Sequence, residues 1–466
     1  MRPVVETVMD NPRVLRVAVV GAGPSGFYAT ESLLKQRPEA VVDLFDRLPA
    51  PFGLVRYGVA PDHQKIKSVT KVYERILAEP RVRFRGNVEV GRDLTAADLR
   101  RHYHATVFTY GAALDRQLGV PGEDLDGSMS ATDFVAWYNA HPDFADLNPR
   151  LDGHTALVVG VGNVAVDVTR ILAKTPAELA VSDIADPALA ALSQSGVRDV
   201  VVVGRRGPAE AKWSTKELRD LGELEDADLV IDPADLAISD ESRAAIANDT
   251  VARRNLEVLE ELAARPLRGL NRRIHLRFLL SPIAIEPDAS GTRVGAVVLE
   301  RNRLEARPDG SLSAVGTGVT ERLDAQLVFR SVGYRGQAMP DLPFDERWAV
   351  VPNDRGRVLT ARDGEPVPGW YVAGWIKRGP TGVIGTNKAC AVETVATLLG
   401  DTLPEIAPAD AEPAAVDALL AGRGVRVVDA DGWRRIDAAE TVAGAPAGRP
   451  RVKLVTREAL LDCAGC

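Results

Sequence analysis

Runs of branched apolar residues alternate along this chain with amphipathic stretches, in an order that predicts strand–helix–strand units. Leu15–Val20 (LRVAVV) is an unbroken apolar run, as a strand covered on both faces requires. Phe27–Lys35 predicts a helix and Ala40–Phe45 (AVVDLF) a second strand. The order repeats at Thr155–Val159 (TALVV), Asn163–Lys174 and Asp199–Val203 (DVVVV), with polar and helical material inserted over Thr175–Arg198. Helices are predicted at Ser68–Leu77, Trp213–Leu221, Ser242–Ala264 and Asn387–Leu399. Short strands are predicted at Arg81–Arg85, Val88–Val90, Ala105–Thr109, Arg277–Leu280, Arg293–Leu299, Ala325–Phe329 and Gly369–Ala373. Alternation of this kind argues for an α/β chain with parallel sheets.

The turns after the two leading strands carry the chemistry. Gly21, Gly23 and Gly26 follow the first in the spacing GxGxxG (GAGPSG). In a βαβ unit the first glycine permits the tight turn, the second lets backbone approach a pyrophosphate, and the third lets helix pack on strand. The helix N-terminus then offers N–H groups and positive dipole to the phosphates. Asp46 stands at the end of the second strand, about twenty residues on, where a carboxylate accepts from a ribose hydroxyl. The second unit has Gly160, Gly162 and Ala165 (GVGNVA), with Asp167 early in its helix. Its second strand ends in Gly204, Arg205 and Arg206. Guanidinium groups there neutralise a 2′-phosphate, where an acid accepts from a free 2′-hydroxyl. The chain thus presents two Rossmann-like dinucleotide sites, one suited to FAD and one to NADPH.

Composition narrows the surroundings. A chain of 466 residues, 45% apolar, exceeds one ordinary core and implies two or three domains. The net charge of −8 argues against nucleic acid or an anionic membrane as the main partner. No apolar stretch approaches the roughly 18 residues of a membrane span. Glu6 and Asp10, followed by a strand at Leu15, leave no room for a targeting segment. The three cysteines, Cys390, Cys463 and Cys466, do not form a disulfide framework, and a cytoplasmic protein is expected. His102 and His104 lack further ligands at metal spacing, so no metal site is expected.

Other segments read less sharply. The loop Leu48–Gly58 (LPAPFGLVRYG) suits a wall against a flat ring or an ordinary surface loop. His63 suits a proton-relay position or a structural one. Gly374, Gly379, Gly382 and Gly385 lead into the helix Asn387–Leu399, whose N–H groups could face an anionic ring edge. Arg219, Arg253 and Arg254 lie in charged helical segments and read as a docking face for an acidic protein, or as solvated charge paired with Asp220, Glu223 and Glu257. The terminal Cys463-Ala464-Gly465-Cys466 is expected to be mobile.

The stretches GAGPSGFYA (Gly21–Ala29), PFGLVRYGVAPDH (Pro51–His63), GNVEVG (Gly86–Gly91), GNVAVD (Gly162–Asp167), VGRRGP (Val203–Pro208), SVGYRG (Ser331–Gly336) and GWIKRGPTGVIGTNK (Gly374–Lys388) together resemble the adrenodoxin reductase family, the adrenodoxin-type ferredoxin–NADP reductases. PRVKL (Pro450–Leu454) adds to the likeness, which spans nearly the whole chain. The resemblance implies an FAD domain formed by both ends of the chain, 1–113 and 330–466, with an NADP domain, 114–329, inserted between. It implies FAD contacts at Gly21, Gly23, Ser25, Gly26, Asp46, Leu54, Val90, Trp375, Gly382, Val383 and Ile384. It implies NADP contacts at Gly162, Asn163, Val164, Ala165, Arg205, Arg206 and Glu217, with Gly382 near the nicotinamide. His63 and Asp167 match positions tied to proton and electron traffic. The implied activity is transfer of electrons from NADPH through FAD to a ferredoxin-type iron–sulfur protein. A flavin disulfide reductase and a flavin monooxygenase of related architecture are the alternatives. Asp46 stands where the family commonly has glutamate, Lys212, Trp213 and Ser214 where it is more apolar, and the CxxC ending is no family feature.

Overall fold

The computed structural model describes residues 14–309, 311–407 and 409–466. The expectation about a targeting segment concerns residues 1–13 and so lies outside the described residues. Two parallel sheets organise the chain. In the first, Arg16–Val20 is buried at every position and lies between Val41–Phe45 and Ala105–Phe108. Val82–Arg85 flanks one side, and Pro366–Val372 pairs parallel with Ala105–Phe108 on the other. Two short antiparallel strands, Arg357–Leu359 and Asn353–Asp354, finish that edge. The sheet therefore joins strands from both ends of the sequence.

The second sheet runs Ser128–Ser130, Leu327–Arg330, Thr155–Val159, Asp199–Gly204, Arg272–Phe278, Ala227–Ile231, every pair parallel. Continuous Val-rich runs make these strands because both faces are covered. A three-stranded antiparallel sheet, Leu280–Pro287, Val294–Ala306 and Leu312–Asp324, packs over one face. The two crossings between the parallel sheets pair with each other as a small ribbon, Leu114–Asp115 against Tyr334–Arg335. The expected α/β class with two Rossmann-like units is what the chain forms. Among the described residues no helix is long and apolar enough to cross a membrane.

Four expectations differ from the structure. Ser242–Ala264 is two helices, Asp240–Ala245 and Thr250–Ala263, because the Asp249 carboxylate caps the second by accepting from the Ala252 N–H. Val88–Val90 forms no strand; Val90 makes only an isolated bridge to Leu94, and the Asp93 carboxylate takes the Glu89 N–H that a ladder would use. Arg277–Leu280 is not one strand, since Leu279, at a φ of 56°, ends the parallel strand and starts the antiparallel one. The tail is docked, not free. Arg457–Ala464 is a helix capped by Thr456 and closed by Gly465 in the left-handed region, and Arg426 donates to the Cys466 carbonyl at 2.8 Å.

A buried charge cluster joins three distant segments. The Lys67 ammonium, beside the first sheet, lies 2.6 Å from Asp183 of the inserted segment, and Lys453 of the C-terminal segment lies 3.3 Å from the same carboxylate. Lys453 also donates to Asn139 and to the Arg56 carbonyl. Burial pushes the Asp183 carboxyl up, but Lys453 and Lys67 outweigh it and hold the group at about 2 against an ordinary 3.8. A folded value below the unfolded one means the stabilisation is complete above pH 3.8 and disappears as pH falls through about 2. Asp183→Asn removes the shared carboxylate from two buried lysines whose ammonium forms burial already disfavours, and is expected to cost about 3–5 kcal/mol, read from the urea midpoint at pH 7. An unchanged midpoint would show that the cluster is not holding the segments together.

Candidate active site

The first glycine turn is built by backbone contact. Gly21 has a φ of 111° and donates to the Phe45 carbonyl at 2.8 Å. A Cβ on Gly26 would lie 2.1 Å from the Gly21 carbonyl oxygen, so only glycine fits there. A Cβ on Gly23 would meet nothing closer than the Gly53 Cα at 3.9 Å, which leaves the backbone open. Asp46 braces the turn, its carboxylate accepting from the Ala22 N–H at 2.8 Å and the Leu48 N–H at 2.9 Å. Burial raises its carboxyl above the ordinary range against those two donors.

The C-terminal glycine segment meets this turn. Ser25 donates to the Asn387 side-chain carbonyl at 3.1 Å, and Gly374 packs against Ser25 too closely for a Cβ. Helices Pro24–Gln36 and Thr386–Gly400 therefore begin side by side. Neither has a side-chain cap at its start, whereas helices after Thr95, Ser130, Ser214 and Thr456 are closed by theirs. At the first helix the Ser25 and Gly26 N–H groups stay available to an anion, but at the second, against expectation, the Thr386, Asn387 and Lys388 N–H groups already donate to the Val383, Ile384 and Gly385 carbonyls. Trp375 stands beside Tyr334, ring centres 5.3 Å apart, and its indole N–H donates to the Thr381 carbonyl. Gly382 and Val383 are exposed and Ile384 is half-buried, in the segment that leads from Trp375 into the helix Thr386–Gly400. Leu54 is half-buried, opening a short helix. Val90 is buried among the core residues behind Phe45. Phe52 does not wall an opening; it is core, packed on Phe27, Tyr73 and Trp433.

The second turn repeats the first. Gly160, at a φ of 132°, donates to the Val203 carbonyl at 2.9 Å. A Cβ on Gly162 would meet nothing within 4 Å, and the helix Asn163–Ala173 that starts there also lacks a side-chain cap. Val164 is half-buried and Ala165 is fully buried against the strands. Asn163 turns its side-chain carbonyl to the Ser214 N–H at 2.7 Å, bracing the next segment. By the Phe45 and Val203 bonds, the position of Asp46 corresponds to Gly204, which has no side chain. Arg205 is exposed and Arg206 half-buried just beyond, and among the described residues neither guanidinium has a partner.

Between the units lies a cluster that brings His63, Asp167 and Glu217 within 4.8 Å of one another. A metal could use such donors, but the Arg170 guanidinium sits among them, 2.8 Å from His63 Nε2, 2.9 Å from Asp167 and 3.0 Å from Glu217. Glu217 thus faces Arg170 and His63. Burial, then Arg170, lowers His63 to about 4, so the ring is neutral at pH 7. Burial raises the Asp167 carboxyl to about 7, against the pull of Arg170. The sequence reading missed Arg170 and Asp62, although Asp62 adjoins His63 and Arg170 follows Asp167 by one helical turn.

The other expected residues lie elsewhere. Arg219 on the helix Thr215–Leu221 and Arg254 on Thr250–Ala263 both face Glu261, and Arg254 also pairs with Glu257 at 2.5 Å. Arg253 is exposed on the same helix, among the described residues without an ion pair. Cys463 and Cys466 rest against the Arg435 and Val427 carbonyls of the tail.

No family model matches the chain. An NADPH-ferredoxin reductase FprA from Mycobacterium leprae is 47% identical over 463 residues, covering 97% of this chain and 99% of that one. The mitochondrial NADPH:adrenodoxin oxidoreductase of Arabidopsis thaliana is 41% identical over 464 residues, 97% and 96% of the two chains. The solved structure of Mycobacterium tuberculosis FprA in complex with NADPH superposes with a TM-score of 0.91 at 46% identity, over 97% of this chain and all of that one. On fold, site geometry and these relatives together, the chain belongs to the adrenodoxin reductase family.

Proposed function

We propose that this protein is an FAD-dependent ferredoxin–NADP(+) reductase that takes electrons from NADPH and delivers them singly to a small ferredoxin-type iron–sulfur protein. The observation that carries the reading is the pair of glycine turns. One opens beside a carboxylate, Asp46, and one beside two unpartnered guanidinium groups, Arg205 and Arg206. The backbone around Gly23 and Gly162 leaves room for a pyrophosphate, and the helix starts there keep free donors. Bound FAD would supply hydride acceptance and one-electron release.

The chain's own residues supply placement and charge. FAD would lie along Gly21, Gly23, Ser25 and Gly26, with Asp46 accepting from its ribose through lone pairs left beside the Ala22 and Leu48 bonds. Leu54, Val90, Trp375 and Gly382–Ile384 would border its ring. NADPH would lie on Gly162–Ala165 with its 2′-phosphate on Arg205 and Arg206. His63 and Asp167 would face the junction of the two, and Glu217 would act there through Arg170. The matching division is an FAD domain from 1–113 and 330–466 with the NADP domain 114–329 between. It is supported by one sheet drawing on residues 16–108 and 353–372 and the other on 128–330. A cytoplasmic setting, where thiols stay reduced, suits three unbridged cysteines. The disulfide-reductase alternative lacks a thiol pair at the site: Cys390 stands there alone, its sulfur taking the Gly374 N–H.

Purified protein is expected to be yellow, with one non-covalent FAD per chain that anaerobic NADPH bleaches and added ferredoxin re-oxidises. FMN in place of FAD, or an oxygenated product in place of reduced ferredoxin, would overturn the reading. Each charge-assisted contact to the 2′-phosphate is worth about 1.5–3 kcal/mol. Replacing Arg205 and Arg206 with Ala should therefore erase a preference for NADPH over NADH of about a hundredfold or more, with FAD retained. A surviving preference would place the phosphate elsewhere. We also propose that Arg219, Arg253 and Arg254 form part of the ferredoxin-docking face, with Arg253 contributing most because Glu257 and Glu261 offset the other two. Reversing all three to Glu should slow ferredoxin-dependent cytochrome c reduction at low ionic strength and leave ferricyanide reduction intact. Equal losses in both assays would assign these residues to folding or NADPH binding.

A further inference from the structure

We propose that Arg170 is the positioning residue of this site: it fixes His63 with Nε2 as a hydrogen-bond acceptor and locks the Asp62–His63 loop of the first unit to the helix Asn163–Ala173 of the second. The inference rests on the functional reading only for placing His63 and Asp167 at the junction of the two nucleotides. Arg170 is 1% exposed, yet all five of its N–H donors have partners. Nε and one Nη2 proton go to the two Asp62 oxygens at 3.1 and 2.9 Å. The other Nη2 proton goes to Asp167 at 2.9 Å, and the two Nη1 protons go to His63 Nε2 at 2.8 Å and Glu217 at 3.0 Å.

A guanidinium proton aimed at Nε2 leaves the ring proton on Nδ1 and excludes an imidazolium. The remaining charges facing His63 are Asp62, Glu217 at 3.4 Å, Lys216 and Asp220. Those facing Asp167 are Glu217 and Asp62, with the Tyr138 and Tyr334 hydroxyls near it. Lys174 pairs with Asp62 at 2.9 Å. Without Arg170, the carboxylates would outnumber the cations around the ring. Burial and Lys216 would still oppose protonation, but Glu217 at 3.4 Å would favour it with no guanidinium between them. Lysine cannot replace this arrangement, because three donors on one nitrogen cannot make five bonds to four side chains as the planar fork does.

The test is the titration of His63 in the FAD-loaded protein with 15N-labelled histidine, its signal identified by loss in His63→Gln. In the unaltered protein the ring should stay neutral down to about pH 4. A midpoint above the ordinary 6.5 there would mean an imidazolium paired with Glu217 and would overturn the proposal without any variant having to fold. In Arg170→Gln the midpoint should rise, because the guanidinium's opposition is gone while burial remains, and an unmoved midpoint in a folded variant would also overturn it. Arg170→Lys, which keeps charge and loses the fork, should slow NADPH-driven flavin reduction about tenfold or more by loosening the loop. An unchanged rate would remove the locking role. Failure of NADPH to bleach the unaltered protein would instead sink the functional reading and leave the titration interpretable.

Discussion

The geometry of the site depends on backbone lying against backbone with no side chain between. The Gly26 Cα approaches the Gly21 carbonyl so closely that a methyl group would sit 2.1 Å from the oxygen. That contact sets the start of the helix Pro24–Gln36 directly above the end of the strand Arg16–Val20. Everything nearby is referred to it. The Phe52 N–H bonds to the Ala22 carbonyl, Asp46 holds the Ala22 N–H, and Ser25 reaches Asn387 across more than three hundred residues of sequence. A first helix displaced by a methyl group would carry the C-terminal glycine segment with it.

The two units use one frame and differ in charge at one corner. Gly21 to Phe45 and Gly160 to Val203 are the same bond in the same place. The next residue is Asp46 in one unit and Gly204 in the other. A carboxylate there accepts hydroxyl protons and repels phosphate. A glycine removes the repulsion, and the free guanidinium groups beyond it supply attraction. On the proposed function, discrimination between the two nucleotides would follow from a few side chains on a common backbone.

Features governed by local rules were legible in the sequence. The glycine spacings, the Val-rich strands and the charges at the strand ends are each specified within a few residues, and they placed both turns. Features decided by a competing side chain, near or far in sequence, were not. Val88–Val90 has strand composition, but Asp93 takes the N–H a ladder would need. Ser242–Ala264 has helical periodicity, but Asp249 offers its carboxylate as a new start. The terminal CxxC looks like a free end, yet Arg426 and Arg435 hold its carbonyls. Arg170 was hidden for the same reason: an arginine on an amphipathic helix reads as solvated until its neighbours from another unit are known.

The seam between the units is polar and buried at two places, and this bears on how they stay together. Arg170 joins them beside the candidate site, and Lys67, Asp183 and Lys453 join them elsewhere. Apolar packing is non-directional and tolerates sliding. A guanidinium with all five donors engaged, or a carboxylate shared by two ammonium groups, is satisfied in one relative placement and costly in others. A reaction that hands a hydride between two separately bound nucleotides needs that fixed separation, since misplacement by about 1 Å can cost about a hundredfold in rate. Buried ionic contacts at this seam are therefore better understood as setting distance than as adding stability, and His63 and Asp167 take their state from burial at that seam together with the Arg170 contacts.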